Sequence, residues 1–242
     1  MEWLTELTKV KVQGLQVYSY LSKMEITISN TIQNACQDLH LAVISCEVRN
    51  PETSNSLWKE METEIEHIRS RYTLEEINKR PEIAATRKAY KVLGKDPNRY
   101  RPSAEALCRR IIRGIPIYKV STLVDIINVV SIRSGFSIGG FDREKIQGDI
   151  ELGVGTAQDD FEAIGRGKLN VEGLPLYRDT SGGIGTPTSD HERTKISNDT
   201  TKLLLVVNGY SGIKGLEEAV TLAHDLFVKY ASLGQFEVKL IG

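Results

Sequence analysis

The chain has little of the material from which the best-known sites are built. Its three cysteines, Cys36, Cys46 and Cys108, form no CxxC pair and are odd in number. That argues against a disulfide framework or a zinc ribbon and for a reducing compartment. Its four histidines never fall into HExxH, and no His or Cys cluster has ligand spacing, so no metal is expected. Neither GxGxxG after a strand nor GxxxxGK followed by Ser or Thr occurs. The glycines are therefore not phosphate cradles, and no cofactor is expected. No apolar run reaches the roughly eighteen residues of a membrane span, so no membrane partner is expected. There is no internal repeat, no low-complexity tract and no Pro-rich linker. Residues 1–23 show neither the basic n-region nor the clean apolar h-region of a signal peptide. They are read as an N-terminal extension, with the patterned chain starting at Met24.

What is present is a soluble globular composition, 40% apolar and 26% charged over 242 residues. That is enough for one or two domains with a full core, expected in the cytoplasm. The net charge of -1 hides a local surplus. From Lys79 to Arg113 there are eleven Lys or Arg against Glu82, Asp96 and Glu105, a surplus of eight. Arg87, Lys91 and Lys95 recur at every fourth position and read as the outer row of a helix. With Arg99, Arg101, Arg109 and Arg113 they are candidates for phosphate contact.

The centre of the chain is Thr122 to Asp142. Leu123, Val124, Ile126, Ile127, Val129, Val130 and Ile132 cover most of a helix, which predicts that it is buried. Thr122, Asp125, Asn128 and Ser131 form one polar stripe at spacings of three. Thr122 and Asp125 also fit an N-cap and its N3 partner. Gly135 supplies the stop. Gly139-Gly140 follows as a turn that permits close backbone approach or positive φ. The stripe and the turn read as a pocket wall, or as structural ties.

Before this centre the pattern predicts a strand at Glu25–Ser29, a short helix over about 31–39 and a buried strand at 41–48. Ser54 then caps a helix to about Tyr72, and Thr73 to Glu76 matches a capping box that starts another. A helix follows Pro81, and Ser103 caps the next. From Gly148 the runs are short and strand-like, separated by Gly-rich turns, which is antiparallel sheet composition. Residues 202–208 read as a central strand, about 216–232 as an amphipathic helix, and 235–241 as a closing strand. The predicted fold class is α+β, with N-terminal helices packed on a mostly antiparallel sheet region.

Four motifs occur in order: Arg101-Pro-Ser-Ala-Glu-Ala-Leu107, Leu123-Val-Asp-Ile-Ile-Asn128, Gly139-Gly-Phe-Asp142 and Thr194-Lys-Ile-Ser-Asn-Asp-Thr200. They resemble the B3/B4 domain of the phenylalanyl-tRNA synthetase beta subunit, as found in free-standing proteins. The resemblance covers 24–242, read as one B3/B4 domain. It implies an editing module, which in the synthetase hydrolyses tyrosine wrongly esterified to the phenylalanine tRNA. No class II catalytic motif accompanies it, so amino-acid activation is not expected. The implied partner is tRNA or aminoacyl-tRNA, with no synthetase subunit required.

Carried over residue by residue, the pocket involves Asn128, Gly139, Gly140, Phe141, Asp142, Asp190, His191, Thr194 and Lys195. Two departures matter. Where bacterial synthetases have Pro-Met-His-Ala-Phe-Asp, this chain has Ser137-Ile-Gly-Gly-Phe-Asp142. The glutamate that reads the tyrosine hydroxyl is matched by Lys195, which predicts a changed specificity.

Hydrolysis of an aminoacyl ester needs an aimed water and a stabilised oxyanion, not a triad. Gly139-Gly140 can offer backbone N–H groups, Lys195 a positive charge, and His191 a group titrating near neutrality. No residue is assigned as catalytic from sequence. Three readings stand: a deacylase acting in trans on mischarged tRNA, a non-catalytic module for an amino acid or tRNA end, and an enzyme on an unrelated small molecule.

Overall fold

The computed structural model describes residues 24–242, so the N-terminal extension lies outside the described residues. The described chain is α+β. Sheet I is formed by β1 (Ile26–Ile28), β4 (Ile150–Val154), β7 (Pro175–Asp179) and β8 (Gly182–Gly185), in the order β1-β4-β7-β8. Its β1–β4 pair is parallel and the others are antiparallel. Sheet II is antiparallel throughout. It is formed by β2 (His40–Glu47), β3 (Ile138–Asp142), β9 (Lys202–Gly209) and β10 (Phe236–Ile241), in the order β10-β2-β9-β3. A small ribbon pairs β5 (Glu162–Ala163) with β6 (Gly167–Lys168).

The helices are α1 (Asn30–Ala35), α2 (Asn55–Arg71), α3 (Pro81–Val92), α4 (Ser103–Ile112), α5 (Thr122–Ser134) and α6 (Leu216–Tyr230). Sheet II is the middle layer because its strands alternate apolar side chains to both faces. Leu203, Leu205 and Val207 join Ala42 and Ile44 in a core with α2, α4, α5 and α6. Leu204, Val206, Leu41 and Val43 face the other way, onto Ile150, Leu152 and Tyr177 of sheet I. A third cluster, around Tyr90, Phe161 and Leu176, packs on the outer side of sheet I.

The predicted central helix is present as α5, and Ile126, Ile127 and Val130 are buried. Its N-cap is Ser121, not Thr122. Asp125 does not close a capping box. Its carboxylate accepts from the Thr53 hydroxyl and from Val120 N, tying two loops to the helix start. Gly135 ends the helix at φ 85°, the left-handed conformation that favours glycine. Ser54 caps α2 as expected, its hydroxyl accepting from Leu57 N at 3.1 Å.

Three local expectations are corrected. Thr73 does meet Glu76, donating from its amide at 2.7 Å. Yet only a turn and a 3-10 segment, Ile77–Lys79, follow, because Arg80-Pro81 interrupts. Ser103 is the first residue of α4 rather than its cap. Gly139-Gly140 is not a turn but the middle of β3, paired with Val206 and Leu205.

The reading of Arg87, Lys91 and Lys95 as one outer row is also corrected. Arg87 is buried and donates to both oxygens of fully buried Glu105, at 3.0 and 2.8 Å. Arg109 completes this network at 2.7 Å from the same carboxylate. Lys95 is buried too, donating to the carbonyls of Asn170 and Glu172 beneath the Tyr100 ring. Arg80 donates to the carbonyls of Ile132 and Arg133 at the end of α5. Much of the cationic surplus is therefore internal wiring. Lys91, Arg99 and Arg113 remain exposed, and Arg101 is half-buried.

Candidate functional site

β3 and β8 are edge strands of sheets II and I, and the site lies where they meet. A tight turn follows β8. The Thr186 hydroxyl accepts from Thr188 N and Ser189 N, and Thr186 N donates to Ser189 O. This turn folds Asp190 back opposite Gly185. Asp190 Oδ2 then accepts the backbone N–H of Gly140 at 3.1 Å.

Glycines make the approach possible through space, not through φ. A Cβ on Gly185 would lie 2.6 Å from Phe141 Cε1 and 2.8 Å from Asp190 Oδ1. One on Gly139 would lie 2.8 Å from Phe141 Cζ and 3.6 Å from the same carboxylate oxygen. One on Gly140 would meet Ile127 Cδ1 at 2.7 Å, on the opposite face. The Asp190 carboxylate thus rests between glycine backbones, beside the Phe141 ring.

Burial raises the Asp190 carboxyl to about 7, and the single hydrogen bond from Gly140 offsets this only in part. The residue nonetheless keeps some exposed surface. Oδ1 accepts no hydrogen bond among the described residues. Tyr177, buried on the inner face of β7, has its ionisation opposed first by burial and then by the Asp190 charge. Its hydroxyl donates to Asn208 Oδ1 at 2.6 Å, and Asn208 Nδ2 donates to Ser137 O at 2.8 Å. The Tyr90 hydroxyl meets Thr188 Oγ1 at 2.9 Å at the other end of the turn. Tyr177, Asn208, Gly185 and Tyr90 were missed by sequence reasoning. Their strand and helix patterns mark them as framework and give no sign of which polar tips converge.

The residues expected in the pocket separate into groups. Gly139, Gly140, Phe141 and Asp190 are brought together. His191 is adjacent, but its Nδ1 accepts from Arg193 N at 2.9 Å and its ring stands edge-on to Phe161. Burial and the Arg193 cation hold it below the usual imidazole range. Thr194 is buried, its hydroxyl reaching Ile184 O at 3.4 Å. Asp142 holds the following backbone together, accepting from Glu144 N and from the Thr200 hydroxyl. Asn128 is half-buried on α5, and among the described residues no hydrogen bond joins it to β3 or Asp190.

Lys195 is exposed, and its ammonium pairs with Glu192, three residues back across the Glu192–Thr194 3-10 turn. The suggested pair of free amides is corrected, because the Gly140 N–H is already given to Asp190.

An open cleft of about 300 Å³ lies elsewhere, lined by Ser45, Arg143, Lys202 and Glu237 among others. Among the described residues no group of three or more His, Cys, Asp or Glu is placed to hold a metal ion. No helix among them is long and apolar enough to cross a membrane.

No curated protein matches the chain. Among solved structures it is similar to an N-terminal fragment of the phenylalanyl-tRNA synthetase beta subunit from Pyrococcus horikoshii. The identity is 14% and the TM-score 0.45, over 90% of this chain and 50% of that one. This chain thus spans about half the length of that structure. The pattern of the B3/4 domain matches residues 85–230, more than half of the sequence and all of the Gly140–Asp190 site, and the chain belongs to the B3/4 domain family.

Proposed function

We propose that this protein holds the aminoacylated end of a tRNA and hydrolyses the ester of a mischarged amino acid in trans, with Asp190 as proton acceptor. One observation carries the reading. Asp190 has a carboxyl raised to about 7, one oxygen fixed by Gly140 N and the other accepting no hydrogen bond among the described residues. A general base poised near the working pH is the most effective one. Water on Oδ1 attacks the ester carbonyl carbon and passes a proton to Asp190. The bond from that carbon to the ribose oxygen then breaks, and the proton returns to the leaving ribose oxygen. Membership of the B3/4 family supports an RNA-linked substrate, as does the surplus of cations left at the surface.

Lys195 is not the selector of the amino acid in this reading, since its ammonium is exposed and paired with Glu192. Selection falls to the walls beside Asp190, chiefly Phe141 and the tightly packed glycines. A second reading, a module that binds a charged tRNA end without chemistry, is favoured by the engagement of His191 in capping the 3-10 turn. Turnover separates the two. Release of amino acid from mischarged tRNA at catalytic protein concentration supports the deacylase, and stoichiometric binding without release supports the module.

A further inference from the structure

We propose that Tyr118 is a base-stacking platform for single-stranded RNA, on a basic strap formed by residues 113–120. This rests on the reading of the chain as one that handles RNA ends, and it concerns a surface distinct from the Asp190 site.

The strap follows α4. Gly114, at φ 68°, turns the chain, and Ile117 anchors it in the helical core. Around that anchor Ile115, Tyr118 and Val120 are exposed, Tyr118 at 68%. They are three of the seven large apolar side chains exposed among the described residues, so the exposure is concentrated in one short stretch. Such concentration marks an interaction surface.

The ring is presented rigidly. Arg110 Nε donates to Pro116 O at 2.6 Å, and its guanidinium lies 4.5 Å from the centre of the Tyr118 ring. One face of the tyrosine is thus backed by a cation that is itself tied to the strap. At the far end Val120 N donates to the Asp125 carboxylate. Lys119 lies over the Trp58 ring at 5.0 Å, fixing a second cation of the strap.

The charge has one sign. Between Glu105 and Asp125 the sequence has no acidic residue, and it carries Arg109, Arg110, Arg113 and Lys119. Arg109 is spent on Glu105, whereas no salt bridge engages Arg110, Arg113 or Lys119 among the described residues. A fixed aromatic face among cations that no salt bridge engages is the arrangement that binds single strands, with bases on the ring and phosphates on the cations. An anionic membrane would meet the same charge. However, the strap is not an amphipathic helix and offers only Ile115 and Val120 beside the ring, too little apolar surface to insert.

The test uses the full chain and fluorescence anisotropy with a labelled single-stranded RNA of about ten nucleotides. A hairpin of similar charge and vesicles containing anionic lipid are the comparison arms. The wild type is expected to bind the single strand at low salt. Tyr118→Ala should weaken that binding about tenfold, with hairpin binding and the thermal midpoint unchanged. Tyr118→Phe should keep most of the affinity, and Arg113→Ala should lower the salt slope by about one. Absence of single-strand binding by the wild type overturns the proposal. So does an unchanged affinity in Tyr118→Ala, or a loss confined to vesicle binding. Tyr118-dependent RNA binding without deacylation sinks the hydrolytic reading alone. Deacylation with a silent Tyr118→Ala sinks the strap alone.

Discussion

Asp190 Oδ2 accepts the backbone amide of Gly140 at 3.1 Å, and this hydrogen bond joins the edge strands of the two sheets. The same contact places a carboxyl where burial raises it to about 7. Structure and proposed chemistry therefore depend on one residue, and they can be separated by pH.

The first prediction is a stability profile. An aspartate carboxyl ordinarily titrates at 3.8, and that of Asp190 is raised to about 7 in the folded chain. The folded state holds this proton more tightly than the unfolded state. Its contribution to stability is full below the lower value and is lost as pH rises through about 7. Asp190→Asn should match the wild type at low pH and be more stable than it above neutrality, by a few kcal/mol. Denaturant unfolding of both proteins across that range checks this.

The second prediction concerns Gly185. A methyl group there would enter the space of Phe141 and Asp190. Gly185→Ala should cost roughly 1–3 kcal/mol, as overpacking does, and should displace Asp190 from Gly140. Adding Phe141→Leu should recover part of the stability. If Gly185→Ala alone leaves both the thermal midpoint and the Asp190 titration unchanged, the packing described around Phe141 is wrong.

The third prediction concerns the buried network of Arg87, Glu105 and Arg109. Glu105→Gln leaves two guanidinium groups without their carboxylate and should cost roughly 3–5 kcal/mol. Arg87→Glu should compromise folding rather than selectively weaken RNA binding. Lys91→Ala, at an exposed position on the same helix, should leave the melting temperature alone. Thermal melts of the three variants decide this. An Arg87→Glu protein that folds normally and loses only RNA affinity would return Arg87 to the surface.

How much of this was legible in the sequence differs from element to element, for physical reasons. The apolar cover of α5 announced its burial, because no amphipathic helix needs so many branched side chains. β3 was not legible, since Gly139 and Gly140 lack the side chains that mark a strand, and only packing against Phe141 and Ile127 explains them. The helical spacing of Arg87 and Lys91 was read correctly. What it did not carry was Glu105, a partner from another helix that takes Arg87 inward. Asp190 was reached only through the family resemblance, whereas its raised pKa arises from burial where the two sheets meet. The pairing of exposed Lys195 with Glu192 was not legible either, since it follows from the 3-10 turn over Glu192–Thr194.

That pairing gives the fourth prediction. Lys195→Ala and Lys195→Glu should leave amino-acid preference unaltered, because the side chain pairs with Glu192 in solvent. Competition between two mischarged tRNAs measures this directly. A switch of preference in Lys195→Glu would bring the residue back into the pocket.

The most direct test is the single-turnover rate of deacylation over a panel of mischarged tRNAs, for the wild type and Asp190→Asn, between about pH 5 and 9. The wild-type rate on the preferred substrate should rise through about pH 7 and then level. Asp190→Asn, still folded and still binding tRNA, should be slower by about 10²–10⁴ and lose that rise. A folded Asp190→Asn protein that deacylates at the wild-type rate, with the same pH profile, would contradict the account.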